Sequence, residues 1–180
     1  MDIFSTAARN VGAEVVPVKD VDAACRYIIT NTDGPVLIPS QGSLDRINLA
    51  RTLGQQTEVL STFDKVQAEQ SAAGVTGANF AIAETGTIAL ESTDETVRLA
   101  TTLPTRHFVI LDPKKIVADG QAAIPHVRQL HEKTPQNFLA YITGPSRTAD
   151  IERVLTIGVH GPKELHILLL ENLSDDFMES

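Results

Sequence analysis

Three continuous apolar runs constrain most strongly what this chain can fold into. They lie at residues 36–38 (VLI), 108–111 (FVIL) and 167–170 (ILLL). Strands with one solvated face alternate apolar and polar residues, whereas strands of a parallel sheet covered by helices are apolar throughout. Each run is far shorter than the roughly 18 to 20 residues that a membrane span needs. The runs therefore predict strands buried on both faces of a sheet.

Amphipathic helical patterns separate the strand-like segments. At residues 20–31 apolar side chains recur every three to four positions, which is typical of a helix with one buried face. Further helices are predicted at residues 44–53 (capped by Ser43), 92–104 (with Ser92 and Glu95 in capping-box spacing), 114–133 (interrupted near Gly120 or Pro125) and 146–158. Further strands are predicted at residues 13–18, 57–62, 107–112, 137–144 and 164–171. Residues 64–79, polar and rich in small side chains, look the least structured.

This alternation predicts an α/β fold with a mainly parallel sheet flanked by helices. Residues 80–91 can add a β-hairpin, since Thr85-Gly86 stands between two apolar runs. With 180 residues, the chain is long enough for a single domain over residues 1–180. Its ends, at about residues 1–12 and 172–180, are expected to be frayed.

Charge and cysteine content exclude several classes of function. A formal net charge of -8 argues against a general binder of nucleic acid or of anionic membranes, which needs a basic surface. The single cysteine, Cys25, can form no internal disulfide and cannot ligate an iron–sulfur cluster by itself. The first ten residues lack the basic start and apolar core of a secretory signal. These features predict a cytoplasmic protein.

Glu84-Thr85-Gly86 is the first candidate site, and two interpretations remain open. In a hairpin, Thr85-Gly86 would be a two-residue turn, with Gly86 supplying a positive φ and Glu84 solvated. Alternatively, the turn holds Glu84 beside a pocket, with Thr85 and Gly86 against the ligand. Burial and neighbours can tune the pKa of such a carboxylate for a nucleophile or a base.

Residues 144–148 (GPSRT) form a second candidate site, between a predicted strand and a predicted helix. The free N–H groups of a helix N-terminus bind small anions, and Arg147 could add a bidentate contact to a carboxylate or phosphate. Ser146 and Thr148 would then contact the ligand. The alternative is that Ser146 or Thr148 simply caps the helix.

Two further segments carry candidate residues. His160 lies between glycines in a loop, where it could act as acid, base or donor, or simply belong to a turn. Thr76 and Asn79 lie in AAGVTGANFA (residues 72–81), which is either a ligand-binding loop or a flexible crossing. The five histidines show neither H-x-H nor H-E-x-x-H spacing, so no metal site is predicted.

Three segments together resemble the LUD-domain family. They are GVTGANFAIAETGTIALES, LPTRHFVIL and GPSRTADIERVLTIGVHGPKELHILLLE, and the resemblance covers roughly residues 13–171. It implies a fold like that of NagB, RpiA and the CoA transferases. It also implies a role in the bacterial oxidation of L-lactate to pyruvate, beside partner proteins that carry iron–sulfur clusters. No cofactor is evident in this chain, so such clusters are expected in those partners.

Three hypotheses about function follow. The first is a non-redox component of lactate oxidation that binds a small carboxylate or a partner subunit through Arg147, the start of the helix after it, Glu84 and His160. The second is an acyl- or CoA-transferase-like enzyme with Glu84 as nucleophile. It is motivated by the similarity of Ala83-Glu84-Thr85-Gly86 to the Ser-Glu-Asn-Gly motif of some CoA transferases. The third is a purely structural or regulatory subunit.

Overall fold

The computed structural model describes residues 2–148, 156–157 and 161–179. The helices in these ranges are α1 (Asp2–Asn10), α2 (Val21–Thr30), α3 (Gly42–Arg46), α4 (Leu49–Leu53), α5 (Lys65–Gln70), α6 (Glu95–Thr102) and α7 (Gly120–Lys133), with a 3₁₀ turn at Pro113–Lys115. The strands are β1 (Glu14–Val18), β2 (Val36–Leu37), β3 (Val59–Leu60), β4 (Ala73–Gly77), β5 (Phe80–Ile82), β6 (Thr87–Glu91), β7 (Arg106–Leu111), β8 (Ile116–Val117), β9 (Leu139–Ile142), β10 (Arg147–Thr148), β11 (Thr156–Ile157) and β12 (Glu164–Leu170). Within these ranges, no helix combines the length and apolarity needed to cross a membrane.

A six-stranded sheet in the order β1-β12-β7-β4-β2-β3 forms the centre of the molecule. All of its neighbouring strands run parallel. Successive side chains of β7 pack in two different hydrophobic clusters, one on each face of the sheet. Phe108 belongs to the cluster that contains Cys25 of α2, and Val109 belongs to the cluster that contains Phe4 of α1. The sheet is therefore buried on both faces, and the predicted α/β fold with a mainly parallel sheet is confirmed.

The predicted hairpin at residues 80–91 is also confirmed, and it belongs to a second sheet in the order β8-β5-β6-β9. Its loop has four residues, 83–86, and not two, since Ile82 pairs with Thr87 and the Gly86 N–H donates to the Ile82 carbonyl at 3.0 Å. Gly86 has the expected positive φ, +66°. A Cβ there would lie 2.3 Å from the Ala8 backbone nitrogen, so the glycine also lets α1 pack on the loop.

Residues 64–79 are ordered, contrary to expectation. Asp64 and Gln67 form a capping box that starts α5, and β4 is a fully buried central strand. Its small residues serve close packing: a Cβ on Gly74 would lie 1.9 Å from the carbonyl oxygen of Ala100 in α6. A strand with so little apolar bulk is hard to recognise from its sequence, because its burial comes from a neighbouring helix.

The expected frayed ends differ from the structure. Residues 2–10 form α1, whose Phe4 and Ala8 are completely buried. At the other end, Leu173 is buried and Phe177 packs against the second sheet. We call residues 173–179 the tail segment.

Four predicted helices differ from the structure. In the range 114–133 the helix begins only at Gly120, after a 3₁₀ turn and β8, and it continues through Pro125. The helix at 44–53 is divided into α3 and α4 at Asn48, which has a left-handed φ of 50°. The side chain of Asp94, not Ser92, caps α6, while the Ser92 hydroxyl donates to the Phe138 carbonyl. The helix at 146–158 is contradicted by the antiparallel pair of β10 and β11.

The order of the main sheet marks one position on its carboxyl edge. This position lies between the neighbouring strands β2 and β4. The connection after β2 leads outward to β3, whereas the connection after β4 leads in the opposite direction, to β7. Ligand sites of open α/β sheets lie at such switch points, where the loops leave in opposite directions. At the sheet's two edges lie β3, with two residues, and β1, which contains Pro17.

Candidate functional site

The loops that follow β2 and β4 meet at this switch point. The Gln41 side chain, in the loop after β2, accepts a hydrogen bond from the Gly77 N–H at the end of β4, with a distance of 2.8 Å between Gln41 Oε1 and Gly77 N. Ser43 follows in α3 and is completely buried. A Cβ on Gly77 would lie 2.6 Å from Ser43 Oγ, so the glycine gives this hydroxyl its space.

Lys115 brings a positive charge to the same position. It ends the 3₁₀ turn that follows β7, and the Asp112 side chain fixes this turn by accepting from the Lys114 N–H at 2.9 Å. Only 1% of the Lys115 side chain is exposed. Its ammonium group donates to the Ala78 carbonyl at 3.1 Å and to the carboxylate of Glu179.

The Glu179 carboxylate fills the space between these groups. Its Oε1 accepts from Lys115, its Oε2 accepts from the Ser43 N–H at 3.0 Å, and its backbone carbonyl accepts from the Gly42 N–H at 3.3 Å. The hydroxyl of Ser43 is buried and has no hydrogen-bond partner among the described residues. Lys115 and the Ser43 amide thus bind the Glu179 carboxylate, the Ser43 hydroxyl lies beside it, and the Gly42 amide holds the Glu179 backbone. We call these groups the carboxylate site.

The tail segment that delivers Glu179 is held by contacts at several points. The Phe177 ring stacks on the His126 ring of α7, with centroids 3.7 Å apart. The Asn79 amide donates to the Phe177 carbonyl at 2.7 Å. Ser174 accepts from Arg46 at 2.8 Å. These contacts join the tail segment to α7, to the turn between β4 and β5, and to α3.

Glu84 and Thr85 lie elsewhere, in the exposed loop of the hairpin. The Glu84 N–H donates to the Ala118 carbonyl at 3.0 Å, and the Thr85 hydroxyl lies 2.6 Å from that of Thr87. Glu84 does not line the cavity that contains Ser146. The geometry matches the solvated-acid interpretation of Glu84, and its role as a nucleophile stays a prediction.

Thr76 and Asn79 are buried and take part in internal hydrogen bonds. The Thr76 hydroxyl lies 2.8 Å from Nε2 of His107. The Asn79 side-chain oxygen Oδ1 accepts from the Glu91 N–H at 2.6 Å, while the side-chain nitrogen Nδ2 donates to the tail segment. Thr76 lies in β4, and Asn79 lies in the turn between β4 and β5, where it contacts the tail segment. Contact of either residue with a ligand stays a prediction.

Arg147 and Thr148 lie in a strand and not at a helix N-terminus, and ligand binding by Ser146, Arg147 and Thr148 stays a prediction. Thr148 lies in β10, and Arg147, in the same strand, donates to the Val11 carbonyl at 2.5 Å. Ser146 lines a cavity of about 320 Å³ with His107 and other residues. His160 lies outside the described residues.

His107, which sequence reasoning did not single out, is a buried histidine whose Nδ1 has no partner among the described residues. Burial, with a smaller effect from the charge of His166, lowers the pKa of His107 to about 3. In the unfolded chain its pKa would be about 6.5. Between these two values the unfolded state binds more protons, so the free energy of unfolding decreases as the pH falls.

We therefore expect His107 to remove about 2 kcal/mol of stability between pH 7 and pH 5, at about 1.4 kcal/mol per pH unit below 6.5. Urea unfolding at both pH values, for the wild type and for His107→Gln, measures this loss. Glutamine keeps a hydrogen-bonding side chain but does not titrate. Equal losses in the two proteins would contradict the prediction.

A second polar cluster lies at the amino edge of the main sheet. Glu164 accepts from Arg106 at 2.9 Å and lies 3.1 Å from His166, which lies 3.0 Å from the Tyr27 hydroxyl. These groups satisfy one another, which is typical of a structural network. Across the described ranges, no group of three or more His, Cys, Asp or Glu side chains could hold a metal ion.

Sequence reasoning missed the carboxylate site because its groups are far apart in the chain. The local pattern predicts Ser43 as a helix cap, but the N-cap of α3 is Gln41, whose side chain does not cap. Lys115 and Glu179 are 64 positions apart. The one available signal was the loop after the apolar run at 36–38, which the strand order then places at the switch point.

Comparisons with known proteins agree with this fold. The model of the LUD domain family matches residues 1–170. The chain is 31% identical, over 84% of its length, to lactate utilization protein C of Bacillus subtilis (strain 168), of which it covers 68%. It is 31% identical, over 86% of its length, to the uncharacterized protein YkgG of Escherichia coli (strain K12), of which it covers 70%. It thus spans about two thirds of the length of these relatives.

A crystal structure of a DUF162 family protein from Deinococcus radiodurans shares the fold, with a TM-score of 0.68 at 19% identity over 94% of each chain. The family model covers nearly the whole chain, including every predicted site residue and all of the carboxylate site except its occupant, Glu179. This chain belongs to the LUD domain family.

Proposed function

We propose that this chain is a non-redox component of lactate utilisation, acting in the oxidation of L-lactate to pyruvate beside iron–sulfur partner proteins. The observation that carries the proposal is its similarity, over most of its length, to proteins named lactate utilization protein C, such as those of Bacillus subtilis and Anoxybacillus flavithermus. The non-redox role is supported by the single cysteine, which cannot ligate an iron–sulfur cluster by itself.

Within that role, we propose that the chain binds a small carboxylate. Lactate and pyruvate both carry one carboxylate, and the carboxylate site already holds such a group. Lys115 offers a charge-assisted hydrogen bond, which is stronger than a neutral one.

Cys25 is unsuited to covalent chemistry, because burial raises the pKa of its thiol to about 11.

Deletion of the gene in its own host tests the role in lactate utilisation. We expect growth with L-lactate as sole carbon source to slow several-fold, and growth on pyruvate to stay unchanged, because pyruvate enters metabolism after the oxidation. Expression of the wild-type chain should restore growth on L-lactate. Wild-type growth of the deletion strain on L-lactate would overturn the proposal.

A further inference from the structure

We propose that the carboxylate site is a binding site for short monocarboxylic acids, and that Glu179 occupies it as an intramolecular competitor. A free acid would then bind when the tail segment leaves. The site itself follows from the geometry, while the choice of short monocarboxylates as ligands rests on the proposed function.

The burial of Lys115 is the first argument. Its ammonium group is 1% exposed, and a buried charge is costly unless an opposite charge and hydrogen bonds compensate it. Among the described residues, this group donates hydrogen bonds to the neutral carbonyl of Ala78 and to the Glu179 carboxylate. Without Glu179 the site would contain a desolvated cation, which favours entry of another anion.

The second argument is that hydrogen-bonding groups approach the carboxylate from different parts of the chain. One oxygen of Glu179 accepts from Lys115 after β7, and the other accepts from the Ser43 amide after β2. The completely buried Ser43 hydroxyl is still unpartnered, although a buried hydroxyl ordinarily has a partner. A Cβ on Gly77 would lie within 3.3 Å of both this hydroxyl and Glu179 Oε2, so the hydroxyl borders the space that the carboxylate fills.

The third argument is that the occupant and the site belong to different parts of the chain. Gly42, Ser43, Gly77 and Lys115 all lie within residues 1–170, the range matched by the LUD domain model. Glu179 lies beyond that range. The site also lies at the switch point of the sheet, where ligands of open α/β folds bind.

Competition with a tethered group explains how the occupant would weaken binding. A ligand held by a short tether has an effective concentration in the millimolar range. A free acid competes with this concentration. Its apparent association constant is the intrinsic constant multiplied by the fraction of protein in which the site is open. Removal of the Glu179 carboxylate should therefore strengthen the binding of a free acid.

The test compares wild type, Glu179→Ala, Glu179→Ala with Lys115→Met, and Asp175→Asn. Asp175 is an exposed acid of the same tail segment, so Asp175→Asn is a control for the loss of one charge. The double variant removes both buried charges and leaves neither unpaired, which protects its folding. Acetate, L-lactate, pyruvate and inorganic phosphate are titrated by calorimetry against equal concentrations of sodium chloride. Thermal unfolding is measured in the same solutions.

We expect Glu179→Ala to bind at least one of the three acids at least tenfold more tightly than the wild type. Its midpoint of thermal unfolding should rise with that acid, because a ligand of the folded state stabilises it. Asp175→Asn should match the wild type, and the double variant should bind at least tenfold more weakly than Glu179→Ala. Folding of each variant is verified by circular dichroism.

Three results would overturn the inference. They are no gain in affinity for any of the three acids in a folded Glu179→Ala protein, equal affinity in the double variant, and tighter binding of phosphate than of every acid. These outcomes are independent of the growth experiment. Normal growth of the deletion strain on L-lactate would refute the proposed function but not the binding site. If the deletion strain grows slowly on L-lactate and the purified protein binds no acid, the binding site is refuted and the proposed function stands.

Discussion

Replacement of Lys115 by methionine is expected to lower the free energy of unfolding by about 3 to 5 kcal/mol. Methionine fills much of the same volume but leaves the Glu179 carboxylate, whose side chain is 6% exposed, without its cation. A buried carboxylate that has lost its partner retains the cost of its desolvation. Urea unfolding of the purified variant at neutral pH measures the loss.

The neighbouring lysine provides the matched control. Lys114 is exposed and donates to Asn172 at 3.2 Å, so Lys114→Met should cost about 0.5 kcal/mol or less. Adding Glu179→Ala to Lys115→Met should restore part of the stability, since it removes the unpaired carboxylate. Equal losses in Lys115→Met and Lys114→Met would show that the buried ion pair contributes nothing to stability.

Substitution of Gly74 by alanine is expected to cost about 3 kcal/mol. The added Cβ would lie 1.9 Å from the Ala100 carbonyl oxygen and 2.8 Å from its carbonyl carbon. Both atoms belong to the backbone of α6, so no side-chain rotation can relieve the overlap, and helix and strand must move apart. Equilibrium unfolding in urea measures this loss.

Gly120 gives the control for the glycine-to-alanine change itself. It lies at the start of α7, and a Cβ there would meet no atom within 4 Å. Alanine is the better helix former, so Gly120→Ala should leave stability unchanged or raise it by up to about 1 kcal/mol. If both variants lose the same free energy, the close approach at Gly74 does not determine the effect.

The sequence was a good guide wherever burial produced a periodic pattern. The runs at 108–111 and 167–170 became β7 and β12, adjacent at the centre of the sheet. The hairpin was also predictable, because Gly86 interrupts two apolar runs. In each case, the signal lay within a few neighbouring residues.

Predictions failed where distant contacts decided the structure. Nothing in the composition of β4 signals a central strand, because its burial depends on α6 packing against Gly74. At residues 147–148, strand pairing with β11 and the bond from Arg147 to Val11 prevail over a helical pattern. The carboxylate site depends on a contact between Lys115 and Glu179, which no local pattern can reveal.

The two edges of the main sheet limit how this protein can associate. An exposed edge strand ordinarily offers unpaired N–H and C=O groups to another chain. Here β3 offers two residues, and β1 contains Pro17, which has no N–H to donate to a further strand. We therefore expect partner proteins to dock on side chains of helices and loops, and not by adding a strand to this sheet. The same edges should resist strand-to-strand aggregation at high concentration.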